Sequence, residues 1–149
     1  SIGIEISNPG HDYTYKKFSS KQIFSLIKLV QYLKTKYKIK KENILGHSDI
    51  APNRKKDPGE KFPWKLLANK KLCVWHHLNE NKIKIYRNTD IDNNQKRNFF
   101  KNLYKIGYSR IYKKKEDLVI AFQRKFRQKL INGKIDKECF LISKNLLNK

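Results

Sequence analysis

The chain of 149 residues carries 35 lysines and arginines against 13 aspartates and glutamates, a formal charge of +22, and is long enough to bury the core of one domain or two small ones. No apolar run approaches the roughly 18–20 residues that span a bilayer, and two cysteines without C-x-x-C spacing give neither a thiolate zinc site nor a disulfide framework. The charge is spread evenly, +10 over residues 1–72 and +12 over residues 73–149, and no basic tail stands apart. Alanine occurs only at 51, 68 and 121 amid abundant lysine, isoleucine and asparagine, so the excess reads as coding bias, with attraction to polyanions as a by-product.

In chain order, Ile2-Gly3-Ile4-Glu5-Ile6 alternates as a half-buried strand does, with Glu5 turned from the core side, and Asn8-Pro9-Gly10 ends it with turn chemistry. Residues 11–18 read as a surface loop. Ser19-Ser20-Lys21-Gln22 is a capping box, and Ile23, Leu26, Ile27, Val30, Leu33 and Tyr37 follow at helical spacing, which predicts a helix over 20–37. Ile44-Leu45 is a short strand leading into a loop, and residues 63–69 form a closing helix. Residues 73–94 read as a connection, with a short alternating run at 82–86 that suits an edge strand. Three helices are expected beyond it, over 92–106 with Gly107 as a stop, over 116–130, and from an Asp136 cap onward.

The loop is the chemical centre of the sequence: Gly46-His47-Ser48-Asp49-Ile50-Ala51-Pro52-Asn53-Arg54-Lys55-Lys56-Asp57-Pro58-Gly59, then Phe62-Pro63-Trp64. Two prolines and two glycines forbid a regular helix or central strand, and an irregular loop of this length usually carries a site. An imidazole and a carboxylate, His47 and Asp57, are a donor set that suits Zn²⁺. A carboxylate such as Glu5 can carry the proton of a hydrolytic water, and a cation such as Lys55 can steady an oxyanion. Spacing alone leaves this metal-assisted amide hydrolysis open, because His and Asp ten residues apart also occur by chance.

The segments Ser1-Ile2-Gly3-Ile4-Glu5-Ile6, Asn8-Pro9-Gly10-His11, Gly46 to Pro52, Arg54-Lys55, Asp57-Pro58-Gly59 and Phe62-Pro63-Trp64 resemble the zinc-dependent N-acetylmuramoyl-L-alanine amidases, which share a fold with peptidoglycan recognition proteins. The resemblance covers residues 1 to about 70 and implies Zn²⁺ held by His47 and Asp57, Glu5 as the catalytic carboxylate and Lys55 as the group assisting at the scissile carbonyl. It implies an α/β fold, a small mixed sheet flanked by helices. Residues Ala121 to Arg127 and Asn132 to Asp136 are similar to a three-helix peptidoglycan-binding domain, with Phe122 and Phe126 as core and glycan-facing groups expected among exposed polar residues and Tyr108.

Two departures qualify the resemblance. The family carries its first zinc-ligating histidine on a strand upstream of the one bearing Glu5, so the expected sheet lacks its first strand and the ion lacks one of three protein ligands; His11, His76 and His77 are the substitutes within the sequence. Thr14 stands where similar loops have glycine. The expected organisation is an N-terminally incomplete amidase domain over 1–72, a connection over 73–94 and a three-helix domain over 95–149. The expected function is zinc-dependent hydrolysis of the amide between N-acetylmuramic acid and L-alanine, impaired by the missing ligand, with a non-catalytic peptidoglycan-binding protein as the alternative and charge-driven nucleic-acid binding ranked last for want of a motif. Peptidoglycan or muropeptides are the expected partners, the chain a monomer, and the cell envelope its location, with the cytoplasm as the alternative.

Overall fold

The computed structural model describes residues 1–148. The first long element is α1 (Ser20–Lys36), started by the expected box: the Ser19 hydroxyl accepts from the Gln22 amide, and the Gln22 side chain accepts from the Ser19 amide. Its buried stripe is Ile23, Leu26 and Val30, one face at 3- to 4-residue spacing. A single 3₁₀ turn over Lys41–Asn43 leads to the short α2 (His47–Ile50), and after the loop comes α3 (Trp64–Asn69).

The described residues contain no β-strand, which corrects the expected mixed sheet. Residues 1–10 carry no regular structure; Ile2 and Ile4 are exposed and only Ile6 packs against a core. A strand exists through ladder bonds to a neighbour, and none of the described backbone lies alongside to supply them. The segment is held instead by side chains, Gln22 Nε2 donating to the Ser7 carbonyl and Asn8 Nδ2 to that of Lys16. Ile44-Leu45 is likewise unpaired, with Leu45 exposed. The alternating run at 82–86 is helical, divided between α4 (Glu80–Ile83) and a 3₁₀ turn over Lys84–Tyr86. There the Asn79 side chain caps the Asn81 and Lys82 amides, and Ile83 is buried, so capping and one anchor outweigh the alternation.

Three helices follow. Asp92 caps α5 (Asn93–Ile106), which stops at Gly107 with a φ of +125° that favours glycine. Acidic Glu116 and Asp117 lie in the first turn of α6 (Lys115–Phe126), and Asp136 caps α7 (Lys137–Asn145). The expected continuation of α6 to residue 130 fails because Arg127 leaves helical geometry and its guanidinium donates to Asp136 Oδ2 at 2.9 Å.

Apolar burial divides into two clusters. The first joins α1 and α3 through Ile23, Leu26, Val30, Phe62, Trp64, Leu67, Leu72 and Cys73. The second gathers Phe99, Leu103, Leu118, Phe122, Phe126, Cys139 and Ile142 from α5, α6 and α7. Trp75 packs against both, so they share a wall. Both cysteines are free and buried, one in each cluster.

Candidate active site

The loop between α2 and α3 is positioned from its own backbone first. The Gly46 amide donates to Asp49 Oδ2 at 2.9 Å, closing the turn that opens α2, and the Ser48 amide donates to the Asp57 carbonyl at 2.9 Å. That second bond ties the two ends of the loop together. A Cβ at Gly46 would lie 2.8 Å from the Pro58 ring and 3.0 Å from Trp64, so only glycine admits the returning chain. At Gly59, with φ +81°, a Cβ would meet the Tyr15 hydroxyl at 2.5 Å and the His11 ring at 2.7 Å.

This closure brings His47 and Asp57 together, with His47 Nδ1 3.1 Å from Asp57 Oδ2. Both side chains are exposed, at 46% and 61%. Two donors bound at about 2.0–2.1 Å to one tetrahedral ion lie about 3.3 Å apart, so the observed separation fits two neighbouring positions of a zinc shell. Imidazole and carboxylate are also the donor types that ion takes. Among the described residues no group of three or more histidines, cysteines, aspartates or glutamates is disposed to hold a metal.

The substitute histidines are otherwise engaged. His11 Nε2 lies 3.0 Å from Glu60 Oε2 and its ring stacks on Tyr15, whose hydroxyl donates to the Pro58 carbonyl. Desolvation acts to raise the Glu60 carboxyl, but the His11 hydrogen bond and Arg124 outweigh it and leave it below its ordinary range. His76 is buried and stacked on Trp75, where desolvation lowers its pKa, and His77 is exposed. Glu5 lies exposed on the N-terminal segment with no hydrogen bond or ion pair to the His47–Asp57 pair. Lys55 is half-buried on the loop, its amide donating to the Ala51 carbonyl.

A second set of residues, to which the sequence assigned no role at the loop, is joined to it through Asp49. Asp49 Oδ2 also accepts from Lys125 Nζ at 2.7 Å, and Asp49 Oδ1 accepts from the Tyr108 hydroxyl at 2.9 Å. Tyr108 is therefore buried in the molecule rather than facing solvent as the sequence suggested. Burial, with Asp49 beside it, pushes its phenol well above the ordinary 10.0. Lys125 was legible in principle: it falls on the apolar stripe of α6, three residues after Phe122 and four after Ala121, where a lysine needs an internal partner.

Against this geometry the comparisons are specific. Residues 1–60 match the protein family described as N-acetylmuramoyl-L-alanine amidase. The N-acetylmuramoyl-L-alanine amidase AmiD of Escherichia coli K12 is 33% identical over an alignment covering all of this chain and 57% of AmiD. The 1,6-anhydro-N-acetylmuramyl-L-alanine amidase AmpD of Haemophilus influenzae is 42% identical over 43% of the chain and 33% of AmpD. Among solved structures, AmiD from E. coli in complex with the substrate anhydro-N-acetylmuramic acid-L-Ala-D-γ-Glu-L-Lys superposes with a TM-score of 0.76 at 32% identity, covering 90% of this chain and 54% of that one. AmpDh3 from Pseudomonas aeruginosa gives 0.75 at 27% identity, over 91% and 55%. The chain thus spans little more than half the length of AmiD and AmpDh3.

Proposed function

We propose that the chain belongs to an N-acetylmuramoyl-L-alanine amidase, hydrolysing the amide between the lactyl group of N-acetylmuramic acid and L-alanine, with His47 and Asp57 holding Zn²⁺. The observation that carries this reading is the His47–Asp57 pair, 3.1 Å apart on a loop within the segment that matches the amidase family. Likeness to AmiD over the whole chain supports it. When bound, Zn²⁺ supplies Lewis-acid activation of water and of the carbonyl.

The chain's own groups account for the remaining chemistry. Hydrolysis forms a C–O bond from the water oxygen, breaks the amide C–N bond, and needs one proton moved from water to the leaving alanine nitrogen. Glu5 is the proposed carrier of that proton, and Lys55 the proposed cation opposite the oxygen where negative charge develops. In the domain division proposed, residues 1–72 form the amidase part, 73–94 the connection, and 95–149 a three-helix part that engages peptidoglycan. Peptidoglycan or soluble muropeptide is the proposed substrate, and the cell envelope the proposed location; no helix among the described residues is long and apolar enough to cross a membrane.

The test is zinc titration together with release of stem peptide from an anhydromuropeptide. Zinc binding that disappears in His47→Ala, with turnover lost in Glu5→Gln, upholds the reading; zinc binding unchanged in His47→Ala overturns it. A second reading, non-catalytic binding of peptidoglycan, is favoured by one observation, the presence of two rather than three disposed ligands among the described residues. Sedimentation with wall sacculi without turnover at saturating zinc would select it.

A further inference from the structure

We propose that the C-terminal helices position the metal-binding pair, acting through the Asp49 carboxylate, with Lys125 and Tyr108 as positioning residues. This rests on the reading of His47 and Asp57 as ligands.

Asp49 occupies the middle of a connected set. Its side chain is 5% exposed, as is that of Lys125, and it accepts from three donors: the Gly46 amide, Lys125 Nζ and the Tyr108 hydroxyl. The first donor belongs to the turn that presents His47, while the other two belong to the second apolar cluster and its helix α6. Lys125 Nζ also lies 4.4 Å from the centre of the Trp64 ring, the ring that a Cβ at Gly46 would meet at 3.0 Å. The ammonium thus lies between the carboxylate and an aromatic face.

From Asp49 the order passes to the pair through two short links. Fixing Gly46 and Asp49 fixes the backbone turn of His47, and the neighbouring Ser48 amide holds the Asp57 carbonyl at 2.9 Å. Further bonds from the segments flanking α6 reach the loop at other points: the Tyr112 hydroxyl, in the link before α6, donates to the Ile50 carbonyl at 2.6 Å, and Gln128 Nε2, just after α6, to the Phe62 carbonyl at 2.8 Å. Exposed ligands such as His47 and Asp57 have little packing of their own to hold them. Their separation is set by the buried carboxylate and what grips it.

The experiment uses the full chain and two readouts, zinc affinity by calorimetric titration and native-state hydrogen exchange at the Ser48 amide, which needs no metal. Lys125→Met should weaken zinc binding roughly 10- to 100-fold, the range seen when the groups orienting a ligand are removed, and should speed Ser48 exchange. Tyr108→Phe keeps the ring and deletes one hydrogen bond, so it should shift both readouts in the same direction by about 5- to 10-fold and serves if Lys125→Met does not fold. Arg87→Met breaks a pair that ties the segment before α5 to Glu138 of α7, away from the loop, and is the control for general destabilisation. The proposal is upheld if the first two variants change Ser48 exchange and Arg87→Met, at equal loss of thermal stability, does not. It is overturned if Ser48 exchange is unchanged in Lys125→Met and Tyr108→Phe, or changes equally in Arg87→Met. Absence of zinc binding in the unaltered chain would instead count against the metal reading, and the exchange result would still decide the positioning role.

Discussion

Asp49 and Asp57 lie in one loop and have opposite surroundings. Asp49 is buried and accepts three hydrogen bonds, one of them from a buried ammonium. Asp57 is 61% exposed and meets a single side chain, His47. A carboxylate offers about four acceptor positions, so Asp49 is close to saturated while Asp57 keeps capacity for an ion. Two acids in the same motif are thus separated by burial: the enclosed one is held by three donors, and the open one keeps its free acceptor positions toward solvent.

The largest expected effect breaks the open pair. His47→Ala should abolish zinc binding by the full chain while leaving the melting temperature of the zinc-free protein nearly unchanged, since an exposed imidazole contributes little packing. Calorimetric titration and a thermal melt check both halves. The enclosed side responds oppositely. Phe122→Ala, at a fully buried position between Phe99 and Phe126, should cost about 3–5 kcal/mol in urea unfolding. If zinc affinity under native conditions then stays intact, the second cluster and the loop are less coupled than the Asp49 contacts imply.

A smaller effect comes from pH. Burial holds the His76 imidazole below its ordinary 6.5, with Glu80 pulling more weakly the other way. Between the two pKa values the unfolded chain binds a proton that the native chain does not, so this contribution is complete above about pH 6.5 and is lost as pH falls below it. Urea melts at stepped pH should show stability declining over that window, and His76→Phe should flatten the decline. The smallest effect is at the surface: Lys56→Ala removes an exposed pair with Asp12 and should change stability by less than about 1 kcal/mol.

The longer helices were legible in the sequence through local chemistry, while the short α2 and α4 were read as loop and strand. The Ser19 and Asp92 boxes, the Asp136 cap and the Gly107 stop are all properties of a few adjacent residues. The strands expected at 2–6, 44–45 and 82–86 do not form among the described residues, because alternation records which face an extended segment could bury and says nothing of whether a neighbour pairs with it. The His47 and Asp57 encounter was readable from the motif, since the loop between them folds back on itself through its own prolines, glycines and the Ser48 amide. Glu5 was placed on a strand by the alternation of residues 2–6 and given its catalytic role by resemblance, and no strand forms there among the described residues. Tyr108 was expected to face glycan and Lys125 was given no partner, because the Asp49 they share lies 59 and 76 residues away in the chain, a distance over which periodicity carries no information.

The two free thiols give the molecule a pair of internal reporters. Cys73 sits in the first cluster with burial pushing its pKa up to about 11, and Cys139 in the second with burial pushing its own up to about 12. Each is shielded and largely protonated at neutral pH, so an alkylating reagent reaches either sulfur only when the surrounding cluster opens. The relative labelling rates of the two would therefore rank how often each half of the protein breathes, without any substitution at all.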